Sequence, residues 1–467
     1  MIEYTAEVTG SRTLREGVVH LVVIGGSDAG ISAALRAREC DPSAAVTLIV
    51  ADTFPNFSIC GLPFFHSGEV PDWHSLAHRT IPEIEAQGIN LLLDHTATVI
   101  DATAKRVRVI TPAGQSREIA YDRLVVGTGS YPVMPPIAGL DVPGVFTLHT
   151  MGSTFALEDF LVTRKPQSAI VIGAGYIGTE MADALTLRGL RVTLVGRNAA
   201  VLPTIDPVLG HLLEAELARR GVTVVTGQEI SAIVATGTDL LTVTGAKGFA
   251  HTAELVLVVT GVRPTTDLAV AAGATIGQGS AIQVNQRMGT GVPDIFAAGD
   301  CAETFHRLLG RPLYLPLGTT SHKQGRVAGE NAVGGDRAFA GVVSTQVVKV
   351  FDLAAARTGL LHHEAEAAGF VPVTVETIAD DHKRYYPGAV PLHLRVTGDR
   401  HSGQLLGAQI VGHWKAEVAK RIDVFAAALY AGMTVEAISD LDLSYTPPLG
   451  SPWDAVQMAT QAWSRAI

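Results

Sequence analysis

The chain has 467 residues, a formal net charge of −10 and three cysteines; a length beyond one ordinary core implies several domains of roughly 100–200 residues each. Hydrophobic residues make up 47% and charged residues 17%, which excludes a disordered chain, and the acidic balance opposes a phosphate backbone, so no nucleic-acid partner is expected. Cys40, Cys60 and Cys301 are too far apart for a disulfide framework or a CxxC site, so free thiols and no metal centre are predicted.

The N-terminal stretch MIEYTAEVTGSRTLREGVV lacks the apolar core of a signal peptide. No run reaches the ~18 uncharged apolar residues that span a bilayer, so a cytoplasmic protein with no membrane partner is expected. The first apolar run, VVHLVVIGG from Val18 to Gly26, gives way to the helix-like SDAGISAALRAREC. This reads as strand, tight turn and helix. Gly25, Ser27 and Gly30 fill the three positions of GxGxxG, a turn that lets backbone approach a pyrophosphate at a helix N-terminus.

Next comes NFSICGLPFF, which sets Cys60 where a helix begins. A thiolate there gains from the helix dipole and free N–H groups, and a pKa lowered toward the working pH is expected. Cys40 and Cys301 read as packing residues, and His66, His74, His78 and Arg79 as mostly hydrated loop residues.

The stretch SAIVIGAGYIGTEMADALTLRGLRVTLVGR repeats the strand–turn–helix plan with a full Gly173, Gly175, Gly178 fingerprint and a second strand ending at Val195. Two such units imply two dinucleotides. Farther on, VPDIFAAGDCAE ends an apolar strand in Gly299 and Asp300, placing a carboxylate where a ribityl hydroxyl would donate to it. One site could hold FAD and the other a nicotinamide cofactor, although Asp300 by itself reads equally well as any strand-end aspartate.

On these motifs the sequence closely resembles the two-dinucleotide flavoprotein disulfide reductases, from about Val18 to the end of the chain. VVGTGSYP, with Thr128 and Gly129, and TGVRPTTDLA, with Gly261, resemble that family's linking motifs. The resemblance implies an α/β fold: two Rossmann-like domains for FAD and NAD(P), and a C-terminal α+β dimerisation domain. The expected divisions are 18–149 and 266–338 for FAD, 150–265 for NAD(P)H and 339–467 for dimerisation.

Reductases with an internal redox disulfide commonly carry CxxxxC, but the fifth residue after Cys60 is Phe65. The pattern resembles the single-cysteine branch: coenzyme A disulfide reductases, NADH oxidases, NADH peroxidases and persulfide reductases. That branch implies Cys60 as nucleophile and leaving group beside the flavin. It also implies Tyr176 as a mobile cover over the flavin and Glu180 near the nicotinamide. Finally, it implies a homodimer in which two tyrosines reach the partner's cysteine. YYPG offers Tyr385 and Tyr386, and LSYTPP offers Tyr445; Tyr386 and Tyr445 are the favoured pair.

Three departures refine the expectation. Asp28 stands where peroxidases and oxidases of this branch commonly have a histidine. Val50 replaces the glutamate for the adenosine ribose, leaving Asp52 as the nearest carboxylate. Gly196 replaces the acid for the NAD ribose and is followed by Arg197, which favours a 2′-phosphate and hence NADPH, with NADH possible. The expected activity is NAD(P)H-driven reduction of a disulfide or persulfide of a small thiol such as coenzyme A. The alternatives are an NADH oxidase or peroxidase cycling Cys60 through sulfenic acid, and a flavoprotein that senses redox state without turnover. Mercuric reductases need further cysteines, and none follows Cys301.

Overall fold

The computed structural model describes residues 17–237 and 239–467, so the N-terminal reading falls mostly on residues outside the described part. Among the described residues no helix is long and apolar enough to cross a membrane.

Two five-stranded parallel sheets and one five-stranded antiparallel sheet carry the fold. The first runs in the order Ile295–Ala297, Arg123–Val126, His20–Ile24, Ala45–Ile49 and Ile89–Leu92. Its central strands read as nearly unbroken apolar runs because both faces are covered, one by helices Asp28–Cys40 and Gly318–Ala332 and the other by the small antiparallel sheet Thr96–Asp101, Arg106–Ile110 and Ser116–Ala120. Helix Asp28–Cys40 packs against helix Gly318–Ala332 across small residues. A methyl group on Gly325 or Gly329 would fall 2.2 Å from the Ala29 carbonyl oxygen or 2.1 Å from that of Ala33. This close approach brings the late helix beside the first glycine loop.

The second sheet has the order Thr223–Val225, Arg191–Val195, Ser168–Ile172, Leu255–Val258 and Val145–Thr147. Val145–Thr147 pairs in parallel with Val256–Val258, so this sheet takes an edge strand from before position 150, the expected start of the second unit. The chain crosses between the two units twice, through Ser130–Pro132 and Val262–Pro264, which pair antiparallel.

The third sheet, Gln346–Val350, Leu353–Gly359, Leu405–His413, Pro391–Asp399 and Pro372–Asp380, is antiparallel throughout. Helices Val418–Ala431 and Ala455–Ser464 close it around Phe425 and Trp463, both buried. The Trp463 indole donates to the Val373 carbonyl at 2.8 Å, giving its polar edge a partner.

Candidate active site

A cavity of about 2140 Å³ is lined by all three domains. That exceeds the roughly 300–1,000 Å³ of one small-ligand site, and both glycine loops contribute, through Gly25 and Ser27 and through Gly173 and Gly175. The third glycines, Gly30 and Gly178, serve the turns instead. A methyl group on Gly30 would lie 1.8 Å from the Gly25 carbonyl oxygen, and one on Gly178 would lie 1.6 Å from that of Gly173. Ser27 and Gly175 are the N-caps of helices Asp28–Cys40 and Tyr176–Leu187, and neither helix start has a side-chain cap. Both ends therefore offer backbone N–H groups and a positive dipole to a diphosphate.

Asp300 lines the same cavity. Its carboxylate accepts from Ser130 Oγ at 3.2 Å and Ser321 Oγ at 3.0 Å, while burial pushes its pKa up despite those donors. Thr128 Oγ1 donates to the Thr265 carbonyl at 2.6 Å, and Thr265 N donates to the Gly129 carbonyl at 2.9 Å. These bonds tie the two crossing segments together, and Thr128, Gly129 and Gly261 all line the cavity. An uncapped helix start, a shaped carboxylate and a cavity of this size fit FAD on the first loop. The second loop fits a nicotinamide dinucleotide.

Val50 and Gly196, which directly follow the second strand of each glycine-loop unit, have steric explanations. Val50 is buried and fills the space beside Gly26, where a methyl would meet its Cγ2 at 2.7 Å. Asp52 sits exposed at the rim, its Oδ1 accepting from Phe54 N at 2.9 Å. Burial of the carboxyl and the nearby Asp94 raise the Asp52 pKa. At the second loop a methyl on Gly196 would lie 2.8 Å from Ala174 Cβ, so Gly196 does not leave free space as its small size suggests. Arg197 is exposed, lines the cavity and makes no ion pair among the described residues.

Cys60 lies in the single turn Ile59–Gly61, and the helix proper is Leu62–Ser67. Its thiol is accessible because it faces the cavity, yet protein surrounds it on its other sides. That burial is the largest influence on its pKa, followed by the Glu180, Asp28 and Asp300 carboxylates, and together they push it up. The expected lowering by the helix start is therefore overturned: a six-residue helix gives little field, and three acids oppose the thiolate. Asp28 is itself raised by burial, with His78 and His322 acting against that. Glu180 is pushed up to about 7 by burial first and by Asp183 second.

Of the four polar residues after Cys60, His74, His78 and Arg79 are exposed as expected, and His66 departs from that reading. His66 is fully buried, with Nδ1 3.1 Å from Glu158 Oε2. Arg188 binds Glu158 through two bonds of 2.7 and 2.5 Å and the His66 carbonyl at 3.1 Å. His74 stacks on Trp73 at a 3.7 Å centroid distance, and His78 lines the cavity. Sequence reasoning missed the His66–Glu158–Arg188 cluster, whose members come from three separate helices or their ends. Cys301 is buried against the Val126 and Ala298 carbonyls, as a packing residue should be. Cys40 is exposed, because it ends its helix on the solvent side, and is not a packing residue.

Tyr176 lines the cavity, and its phenol is pushed up to about 12, chiefly by burial. Tyr386 and Tyr445 do not line this chain's cavity; both are partly exposed on the C-terminal domain. The Tyr385 phenol acts on Tyr445 and raises its pKa. Tyr386 packs edge-on against His382.

Known proteins match this arrangement. The family model Pyridine nucleotide-disulphide oxidoreductase matches residues 19–325, and that family's dimerisation domain matches 345–455. The NAD(P)H sulfur oxidoreductase (CoA-dependent) of Pyrococcus furiosus is 35% identical over 435 residues, covering 93% of this chain and 96% of the relative. The structure of an NAD-dependent persulfide reductase from A. fulgidus superposes with TM-score 0.92 at 36% identity, covering 96% of this chain and 83% of the other. An engineered water-forming NADPH oxidase from Lactobacillus brevis, bound to NADPH, gives TM-score 0.90 at 26% identity, covering 96% and 98%. The two glycine loops, the Asp300 strand and the antiparallel C-terminal sheet thus have a common source: the chain belongs to the FAD-dependent pyridine nucleotide-disulphide oxidoreductases.

Proposed function

We propose that the protein is an NADPH-preferring reductase of a disulfide or persulfide of a small thiol, with coenzyme A the first thiol to test. The observation that carries this reading is that Cys60 lines the cavity shared by both glycine loops, while Cys40 and Cys301 do not. A lone thiol there forms and breaks mixed disulfides with substrate sulfur, not with a second cysteine of its own chain. The flavin supplies two-electron transfer between nicotinamide and sulfur. The chain's own residues bind the cofactors, hold Cys60 against the cavity and supply protons. The dimerisation domain pairs two copies in this reading, and Tyr386 and Tyr445 donate to a departing thiolate across the dimer. Asp52 accepts from the adenosine ribose at the rim.

The coenzyme A assignment draws on the name of the Pyrococcus furiosus relative. Cofactor choice draws on Arg197: the engineered NADPH oxidase carries an aspartate changed to alanine and, at the next position, an alanine changed to arginine, a pair like Gly196–Arg197. The A. fulgidus enzyme is named NAD-dependent, so both cofactors belong in the assay. The test is anaerobic titration with NADPH followed by coenzyme A disulfide and persulfide. Cys60→Ser should keep the bleaching of the flavin and lose disulfide turnover; equal turnover by the variant overturns the sulfur mechanism.

A second reading, oxygen or peroxide reduction through a Cys60 sulfenic acid, draws on Asp28. Its raised pKa leaves a protonatable carboxyl facing Cys60. Oxygen or peroxide consumption without added disulfide separates the two.

A further inference from the structure

Next to the cavity, Pro63, Phe64, Glu69, Glu180, Asp183, Ala184 and Lys349 enclose a crevice too narrow to admit water. Glu180 is the one residue that lines both this crevice and the large cavity. One helical turn on, Asp183 is only 4% exposed; Oδ2 accepts from Phe351 N at 2.7 Å, and Oδ1 is buried with no partner. Lys349 Nζ stands 3.6 Å from Asp183 Oδ2 and 3.6 Å from Glu69 Oε1. Glu69 reaches solvent, with nearly half of its side chain exposed. Three separate parts of the chain therefore align ionisable groups from the cavity to the surface: the segment after Cys60, the helix of the second glycine loop and the first strand of the dimerisation domain.

We propose that Glu180, Asp183, Lys349 and Glu69 form the route by which protons pass between solvent and Cys60, with Glu180 at its inner end. This rests on Cys60 working as a thiol–disulfide centre. Reduction of a disulfide R–S–S–R′ breaks the S–S bond with two electrons, and each sulfur leaves as a thiol holding one proton. The nicotinamide gives a hydride, which is two electrons and one proton. The balance NADPH + H⁺ + RSSR′ → NADP⁺ + RSH + R′SH therefore takes one proton from solvent in every turnover. Buried Asp183 with a spare oxygen is suited to hold that proton in transit, and the flexible Lys349 stem lets its ammonium swing across gaps longer than a direct hydrogen bond. Glu180, poised near neutrality, matches the requirement that a relay group accept and release at the working pH.

The charges facing each group set the test. Asp183 raises the pKa of Glu180, and Lys349 lowers it; Lys349 lowers that of Asp183, and Glu69 raises it. Asp183→Asn, which keeps an acceptor for Phe351 N, should shift the Glu180 carboxyl titration to lower pH, read by infrared spectroscopy. Lys349→Met should shift it to higher pH. The pH profile of Cys60 alkylation should follow Glu180 in both variants, because the ionised Glu180 holds the thiol up. Opposite shifts are not what general structural damage produces. In turnover, each variant should slow disulfide reduction by about tenfold, below the 10²–10⁴ of a direct general acid. The solvent deuterium isotope effect should rise while the rate of flavin bleaching by NADPH stays the same. Unchanged titrations and an unchanged isotope effect in both variants would overturn the relay. If wild type and Cys60→Ser turn over disulfide equally, the proposed function fails, and the infrared and alkylation profiles still decide whether the cluster is linked to the thiol.

Discussion

The Tyr176 phenol donates to Gln346 Oε1 at 2.6 Å, joining the start of the second loop's helix to the first strand of the dimerisation domain. Gln346 also lines the cavity. Tyr176, the flavin cover that the family resemblance implies, is thus latched from another domain, and its ring moves only when this bond opens. Gln346→Leu should free the ring, raising NADPH-dependent oxygen consumption by a few fold, in keeping with ~1 kcal/mol for one hydrogen bond. Tyr176→Phe should match it, and Tyr176→Ala should exceed both. Unchanged oxygen consumption and cofactor kinetics in all three would reject a latched gate.

Arg197→Ala should raise the KM for NADPH by about tenfold to a hundredfold, the worth of a charge-assisted contact at ~1.5–3 kcal/mol, and barely change that for NADH. Gly196→Glu should do more harm than charge alone predicts, because its Cβ meets Ala174. Steady-state kinetics with both cofactors check each variant. An equal loss with NADH makes Arg197 a surface charge and nothing more.

His306 is fully buried, and its pKa is lowered to about 4, first by burial and then by Arg357. A histidine held neutral in the fold binds its proton more readily when unfolded. Its contribution is therefore present above the ordinary value of 6.5 and is lost as pH falls from there toward 4. Two to three pK units correspond to ~3 kcal/mol. Thermal melts should show a falling midpoint over that window, and His306→Gln should flatten the dependence.

Glu158, His66 and Arg188 fasten the helix after Cys60. Arg188→Met leaves Glu158 half-paired beside a fully buried His66, at a cost of about 2 kcal/mol. The melting midpoint should drop by several degrees, and disulfide turnover should fall more than flavin bleaching, because Cys60 sits just before the loosened helix. An equal fall in both would mean the damage is not local to the thiol.

The parts of the site written along one stretch of chain were legible in the sequence. Each glycine loop carries its strand and helix with it, and the cysteine stands in a run with no second thiol. What could not be read was anything made by distant segments meeting. The acids that set the Cys60 thiol come from Asp28, Glu180 and Asp300, and nothing near position 60 announces them. His66 looks like one of several loop histidines until Glu158 and Arg188 close over it. Gly196 looks roomy until Ala174 is placed beside it. Val145–Thr147 is too short to choose a sheet by pattern and is assigned by its neighbour, Val256–Val258.

The edge strand Ile295–Ala297 completes the first sheet only after the whole second sheet has been traversed. During synthesis the hydrogen-bonding edge of Arg123–Val126 must therefore wait, bare, while the nicotinamide unit folds from contiguous sequence. Closing so long a loop is slow in comparison with local pairing, and an unpaired apolar edge invites association with other chains. The nicotinamide unit should thus be the first part to resist protease on a stalled nascent chain, and the flavin unit the last. Flavin added during refolding should improve yield late in the process, once the returning strand has docked.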